Sequence, residues 1–176
     1  MKPDTSVRMS FTLGILADRI KARLEKWEAQ EITKRIWSKD FRVWSDSDRP
    51  EITDRLGWLD LPETMEQHLS EITRAAEAIR DENIEHIVLL GMGGSSLAPQ
   101  VFHDVFGKQP GWPDLIVLDT THPVEIKRVE TLLDPERTVF IVASKSGTTQ
   151  ETISLFKYFF HRLAGQTSHP GSHFVA

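Results

Sequence analysis

The first part of the chain carries apolar residues at the three- and four-residue spacing of a helix. One such stripe consists of Leu13, Leu16, Ile20, Leu24 and Trp27. It predicts a helix that bends or ends near Gln30. A second helix is predicted to begin at Asp60, whose carboxylate can cap the first turn. Its stripe consists of Met65, Leu69, Ile72, Ala76 and Ile79. Residues 1–81 are therefore predicted to form a helical N-terminal segment.

Beyond residue 81 the pattern changes to short apolar runs, which are typical of buried parallel strands. Three such runs begin at residues 86, 115 and 138, and a helical stretch follows each of them. This alternation predicts successive βαβ units. The predicted fold class is therefore α/β, with a doubly wound parallel sheet in a three-layer α/β/α domain over residues 82–176.

The last residues, Ser172-His173-Phe174-Val175-Ala176, resemble the start of a fourth strand. We therefore expect the sheet to be incomplete at its C-terminal end and the sequence to be a fragment of a longer protein. An incomplete parallel sheet has an open edge, which favours association or aggregation.

Composition and charge narrow the class of protein. The formal charge is −5, and residues 81–176 carry 7 Lys or Arg against 11 Asp or Glu, so binding to nucleic acid or to a membrane surface is not expected. The chain has no cysteine and no pair of histidines at metal-ligand spacing on a helix, so no metal site is predicted. No apolar run approaches the ~20 residues of a membrane helix. A soluble, cytoplasmic protein is therefore expected.

Two loops rich in small polar residues follow the first and third predicted strands. They are Gly91-Met92-Gly93-Gly94-Ser95-Ser96 and Ser144-Lys145-Ser146-Gly147-Thr148-Thr149. In a parallel sheet, both loops would lie where helix N-termini present unpaired amides. The glycines of the first loop allow close approach of an anion, and one of its two serines can cap the following helix. The second loop adds four hydroxyls and a lysine, so the pair predicts a phosphate-binding site.

Two other interpretations of these loops remain open. Either loop alone could be a tight strand-to-helix turn without a ligand. A dinucleotide-binding Rossmann unit is the other alternative, because Gly91-x-Gly93 follows a strand and Asp119 ends the next one, where a ribose-binding acid would lie. However, Ser96 replaces the third glycine of that fingerprint, and an NAD-binding unit would leave the second loop unexplained.

The two segments 87–97 and 143–152 together resemble glucose-6-phosphate isomerases, and their spacing also fits. The pattern Ser144-x-Ser146-Gly147-x-Thr149 is similar to the phosphate loop of sugar isomerase (SIS) domains in general. Arg55-Leu56-Gly57-Trp58-Leu59 resembles the lead-in of a bacterial subgroup that includes proteins fused to a transaldolase. One departure is Gly147, where many relatives carry phenylalanine.

The resemblance implies a SIS-type domain that binds glucose 6-phosphate or fructose 6-phosphate without a cofactor. It implies substrate or phosphate contacts from Gly94, Ser95, Ser144, Lys145, Ser146 and Thr149. Four further residues match the motif, namely Gly93, Thr148, Gln150 and Glu151. It also implies a homodimer for the full-length parent protein.

The isomerase reaction moves a proton between C1 and C2 through an enediol, and it needs a base, a ring-opening group and a cation. In relatives these are a glutamate, a histidine and an arginine that lie beyond the third strand. We therefore expect no catalytic residue in this chain. The alternative function is a non-catalytic SIS sensor, which a DNA-reading helix-turn-helix would favour. Residues 1–81 show no basic recognition helix.

Overall fold

The computed structural model describes residues 10–176, and the chain divides into two compact units, Met1–His68 and Leu69–Ala176. The boundary differs from the sequence-based division after residue 81 by one helix, Leu69–Asp81, which belongs to the same unit as the sheet. Within residues 10–176, no helix is long and apolar enough to cross a membrane.

The first unit contains short helices, as its hydrophobic spacing predicts. They are α1 (Ala17–Ala29), α2 (Ile32–Trp37) and α3 (Leu61–Thr64). The expected break near Gln30 is confirmed, because Glu31 adopts a left-handed conformation with φ of 50° between α1 and α2. The apolar stripe of α1 is not covered, however, since about half of the surface of Leu24 and of Trp27 is exposed.

The second predicted helix is interrupted in the structure. The prediction that Asp60 caps it is wrong. Helix α3 ends at Thr64, a 3-10 turn follows, and only then does α4 (Leu69–Asp81) begin. The Asp60 side chain makes no cap hydrogen bond, because its carboxylate is paired with the ammonium group of Lys39 instead. A charge partner 21 residues away in sequence competes with the local backbone for this carboxylate.

The second unit is built on a four-stranded parallel sheet, as predicted. The strands are β1 (His86–Gly91), β2 (Asp114–Leu118), β3 (Thr138–Ala143) and β4 (Phe174–Val175), in the order β2-β1-β3-β4. Helices α5 (Gly94–Phe106), α6 (Pro123–Leu132) and α7 (Gln150–Ala164) connect successive strands. The chain steps from β1 to β2 in one direction, and then to β3 and β4 in the other. The topological switch point therefore lies between β1 and β3.

The main core lies on the face of the sheet that α6 and α7 cover. It is a cluster of buried apolar side chains, namely Val88, Leu90, Leu118, Val129, Phe140, Leu155, Phe159 and Leu163. The Phe140 ring contacts those of Phe159 and Phe174, with centroids 4.8 and 5.0 Å away. Right-handed crossovers assign α5 to the opposite face, where the alternating residues Leu89 and Val139 are also buried.

Gly91, the last residue of β1, packs closely against the end of β3. It is buried and aligned with Ala143 in the parallel ladder. A Cβ atom on Gly91 would lie 3.2 Å from Ser95 Cβ and 3.3 Å from the carbonyl oxygens of Ala143 and Ser95. Two of these three atoms are backbone atoms, so glycine is needed for the close approach of the two strand ends.

Replacing Gly91 with alanine should therefore destabilise the second unit. We expect the free energy of unfolding to fall by about 1–3 kcal/mol, because the backbone must shift to admit the methyl group. Denaturant titration measures this change. Gly94→Ala is the matched control, since a Cβ there would meet no atom within 4 Å. Equal stability of the two variants would show that the strand ends adapt freely.

Glu130 links α6 to α7 through its carboxylate. Oε2 accepts a 2.6 Å hydrogen bond from Lys127 Nζ, and Arg162 Nε of α7 lies 2.6 Å from Oε1 in an ion pair that lacks hydrogen-bond alignment. The hydrogen bond from Lys127, followed by the charge of Arg162, lowers the pKa of Glu130, while burial opposes this shift.

This shift predicts a pH dependence of stability. The folded-state pKa of Glu130 lies below the unfolded value of about 4.3, so its stabilisation is complete above that pH. It is lost as the pH falls towards the folded-state pKa. Glu130→Gln should lower the free energy of unfolding at pH 7 and flatten its decline below about pH 5. Urea titrations between pH 7 and pH 3 measure both, with Glu136→Gln as control. Parallel curves for wild type and Glu130→Gln would contradict the prediction.

Candidate functional site

The two polar loops lie side by side at the carboxyl edge of the sheet. The first follows β1 and the second follows β3, and these strands are neighbours with Gly91 aligned to Ala143. The sequence-based expectation that both loops share one edge is therefore confirmed. They flank the switch point, which is where open parallel sheets bind ligands.

The first loop is a tight turn that leads directly into α5. Gly93 has φ of 54° and ψ of −118°, a backbone conformation that favours glycine. Its carbonyl oxygen accepts hydrogen bonds of 3.0 Å from the amides of Ser96 and Leu97. Within residues 10–176, the amides of Gly93 and Gly94 find no acceptor. They remain available to an anion at the N-terminus of a 13-residue helix.

The prediction that one of the two serines of this loop caps the following helix is wrong. Gly93 is the N-cap residue, and no side chain caps α5. Ser95 is half-buried, while the buried hydroxyl of Ser96 donates a 3.0 Å hydrogen bond to the Gly93 carbonyl oxygen. That hydroxyl also lies 3.5 Å from Oδ2 of Asp119, the residue that follows β2. Ser96 thus stabilises the turn from inside, because its side chain points back into the loop.

The second loop is held in shape by its own hydroxyl groups. Ser144 Oγ and Thr149 Oγ1 are 3.1 Å apart, and the Gly147 amide donates a 3.1 Å hydrogen bond to Ser144 Oγ. Ser146 Oγ accepts hydrogen bonds from the amide and the hydroxyl of Thr148, at 3.1 and 3.0 Å. Gly147 has φ of 68°, so the loop turns through a conformation that glycine favours. These internal hydrogen bonds fix the shape of the loop.

The second loop also leads into a helix with an open N-terminus. Thr149 is the N-cap residue of the 15-residue helix α7, and its side chain caps no amide. Among residues 10–176, the first-turn amides of Gln150, Glu151 and Thr152 find no acceptor. Two helices consequently direct unpaired amides towards the same edge of the sheet, which attracts an anion. The sequence indicated the loops but not that both helices lack side-chain caps.

The side chains of Lys145, Gln150 and Glu151 are exposed. Lys145 makes no ion pair within residues 10–176, so its ammonium group can reach a ligand. Gln150 and Glu151 lie on the exposed surface of the first turn of α7. No group of three or more His, Cys, Asp or Glu residues in the described part of the chain could hold a metal ion. The site therefore offers amides, hydroxyls and one ammonium group, which are donors suited to a phosphate.

The structure brings all ten candidate residues to this edge. In the first loop they are Gly93, Gly94 and Ser95, in the second they are Ser144, Lys145, Ser146, Thr148 and Thr149, and in the first turn of α7 they are Gln150 and Glu151. Their individual contacts with a ligand stay predictions. The 3.5 Å contact between Ser96 and Asp119 was not predicted, although both residues lie in segments that the sequence marks as candidate sites. The sequence signal for this contact was that the two residues follow strands predicted to be neighbours, β1 for Ser96 and β2 for Asp119.

Comparison with known proteins agrees with this geometry. Residues 60–176 match the family model of phosphoglucose isomerase. The chain is 34% identical over 108 residues to the glucose-6-phosphate isomerase of Carboxydothermus hydrogenoformans, covering 56% of this chain and 23% of that protein. It is 39% identical over 106 residues to a glucose-6-phosphate isomerase of Thermus thermophilus, covering 60% and 24%.

Two solved structures share the fold. A hypothetical protein of Thermus thermophilus superposes with a TM-score of 0.60 and 30% identity, over 88% of this chain and 34% of its own. A glucose-6-phosphate isomerase of Chlamydia trachomatis has a TM-score of 0.54 and 23% identity, over 80% of this chain and 26% of its own, and this likeness concerns the fold alone.

The chain spans about a quarter of the length of the curated relatives it matches. The family model nevertheless extends over most of the chain and includes β1 and β3, with both loops. The chain therefore belongs to the phosphoglucose isomerase family.

Proposed function

We propose that this chain is the sugar-phosphate-binding portion of a glucose-6-phosphate isomerase, whose substrates are glucose 6-phosphate and fructose 6-phosphate. The observation that carries the proposal is the pair of donor-rich loops on either side of the switch point. The family match supports the same conclusion, because it includes both loops.

The phosphate would be bound mainly by the second loop. Ser144, Ser146 and Thr149 supply hydroxyls, Lys145 supplies the positive charge, and the amides of α7 point towards the same region. These donors are local, which suits a chain whose formal charge is −5. Hydrogen bonds to a charged phosphate are stronger than those between neutral groups. A bound phosphate would therefore replace the hydrogen bond between the hydroxyls of Ser144 and Thr149 with stronger hydrogen bonds from these hydroxyls to its own oxygens.

The sugar would lie against the first loop. Gly94 and Ser95 are the residues whose backbone and hydroxyl would face it, with Gly93 beside them. Gln150, Glu151 and Thr148 lie close enough in sequence to the phosphate-binding residues to contact the ligand as well. Glycines at this position leave room for a bulky ring, because no side chain fills the space next to the turn.

The two loops of the proposed site would bind the substrate, and neither loop carries a carboxylate or an imidazole that could convert it. Enediol chemistry needs a base, a group that opens the ring and a cation that stabilises the enediolate. The two loops supply amides, hydroxyls and the exposed ammonium group of Lys145. In the proposed parent enzyme, the remaining polypeptide would supply the reacting groups, and two copies of the full-length protein would associate. A cytoplasmic location is part of this proposal, because a chain without cysteine suits a reducing compartment.

Fructose 6-phosphate should bind the chain, whereas fructose and NAD should not. Replacing Ser144 and Thr149 together with alanine should weaken binding at least tenfold, because each lost charge-assisted hydrogen bond contributes roughly 1.5–3 kcal/mol. Isothermal titration calorimetry measures the affinities. The matched control is Thr131→Ala with Ser154→Ala, whose hydroxyls bond to helix carbonyls at 2.8 and 2.7 Å. Unchanged affinity in the loop variant would mean that these hydroxyls only shape the loop.

The isolated chain should not isomerise its ligand. We expect no conversion of fructose 6-phosphate to glucose 6-phosphate above the background rate, because the catalytic base and its partners are not among the loop residues. A coupled assay that oxidises glucose 6-phosphate measures the rate, with an intact glucose-6-phosphate isomerase as positive control. Robust turnover by the 176-residue chain would refute the division between binding and chemistry.

A further inference from the structure

The carboxylate of Asp119 lies beside the first loop, directly after the end of β2. Its Oδ2 is 3.5 Å from the hydroxyl oxygen of Ser96, which in turn is 3.0 Å from the Gly93 carbonyl oxygen. A single hydroxyl group therefore separates this carboxylate from the backbone of the loop. The preceding residue, Leu118, is buried, whereas Asp119 is exposed. The carboxylate is thus both close to the loop and accessible to a ligand.

The Asp119 side chain has acceptor capacity that the protein leaves unused. The Ser96 hydroxyl has one proton, and the Gly93 carbonyl oxygen is its nearer acceptor. Within residues 10–176, no Lys, Arg or His forms an ion pair with Asp119, and no other group donates a hydrogen bond to its carboxylate. An ionised carboxylate can accept about four hydrogen bonds. Sugar hydroxyls are donors that would use this capacity.

The two loops differ in the charges that accompany them. The second loop contains Lys145, and Glu151 follows in the first turn of α7, so these two charges offset each other. The first loop contains no charged side chain, and the contact with Asp119 gives it a negative neighbour. Both loops lead into a helix with unpaired amides, so the amides alone do not decide which loop binds a phosphate. The charges decide it, because Asp119 repels a dianion.

We propose that Asp119 is a specificity-determining residue, which sets the orientation of the bound sugar phosphate and excludes a second phosphate group. The inference rests on the proposed function, since it concerns the same site. The carboxylate accepts hydrogen bonds from hydroxyls at the end of the hexose that is remote from the phosphate. The phosphate is thereby directed to the second loop, and the hydroxyl-bearing end of the sugar to the first.

Fructose 1,6-bisphosphate is the ligand that tests this role of charge. It carries a phosphate at each end of the hexose, so either orientation that fills the second loop directs the other phosphate towards Asp119. At pH 8 both phosphates are dianions, because their second pKa lies near 6. Asparagine has nearly the shape of aspartate without its charge. Asp119→Asn therefore removes the repulsion and leaves the size of the site unchanged.

Isothermal titration calorimetry at pH 8 with fructose 6-phosphate and with fructose 1,6-bisphosphate measures the discrimination. The wild-type chain should bind the monophosphate at least tenfold more tightly than the bisphosphate. In Asp119→Asn this ratio of affinities should fall at least threefold, whereas Asp119→Glu, which keeps the charge, should stay close to wild type. Salt should also reduce the wild-type ratio, since screening at about 0.5 M weakens a charge repulsion and leaves a steric exclusion unaffected.

Asp104→Asn is the matched control, because it removes one carboxylate charge from α5 at a distance from the loop. Asp104 is about 15 Å along the helix from Gly94 at a rise of about 1.5 Å per residue. This distance exceeds the Debye length of about 8 Å at physiological ionic strength. The control should discriminate between the two ligands as wild type does, and circular dichroism verifies that each variant is folded.

Two results would overturn the assignment of Asp119. One is an Asp119→Asn ratio equal to that of wild type, and the other is a fall of the same size in Asp104→Asn. A wild-type ratio that does not change with salt would contradict it without the use of any variant. Wild-type chain that fails to bind fructose 6-phosphate would overturn the proposed function together with this inference. Normal monophosphate binding without discrimination would overturn the inference alone.

Discussion

The pairing of β1 with β3 is the contact on which the site depends. These strands are adjacent in the sheet but are separated in sequence by a strand and two helices. Their parallel alignment carries two loops that are far apart in the chain to one edge, and it places a helix N-terminus behind each loop. The buried Gly91 permits this arrangement, because any side chain there would meet the backbone of Ala143 and Ser95.

The same crossover pattern separates the two faces of the sheet. The side covered by α6 and α7 contains the aromatic and aliphatic core around Phe140, and it is closed by the ion pair between Glu130 and Arg162. The side covered by α5 has fewer buried side chains. The strands that carry the loops are therefore supported by a well-packed core on one face of the sheet. Helix α5, which begins at the first loop, has an apolar side that is exposed to solvent.

Much of the second unit could be predicted from sequence, because its signals are local. Apolar runs that end at Gly91 and Ala143 mark buried strands, and the loops that follow them are rich in residues that favour turns and caps. The apolar spacing of 150–164 is likewise local, and the buried residues of α7, among them Leu155 and Phe159, lie on one side of the helix. A parallel arrangement followed from the alternation of elements, and it brought the two loops together.

What the sequence could not predict depends on partners that are distant in the chain. The carboxylate of Asp60 looks like a cap, but its pairing with Lys39 is visible only in three dimensions. The periodicity of α5 identifies an apolar side without indicating whether anything covers it. The choice of Gly93 as N-cap, with Ser96 turned inward, likewise depends on how tightly the turn approaches Asp119. Local sequence patterns predict helices and strands, whereas burial and charge pairing depend on how these elements pack together.

The hydroxyl network of the second loop has a consequence for selectivity. A neutral molecule that enters the loop would exchange the contact between Ser144 and Thr149 for hydrogen bonds of similar strength, with little net gain. A doubly charged group gains more from the same hydroxyls, since each new bond is charge-assisted. On the proposed function, the loop would therefore favour a phosphorylated sugar over an uncharged one. The hydrogen bonds from the Gly147 amide to Ser144 and from the Thr148 amide to Ser146 would still shape the loop, so a bound anion would lose little affinity to the ordering of the backbone.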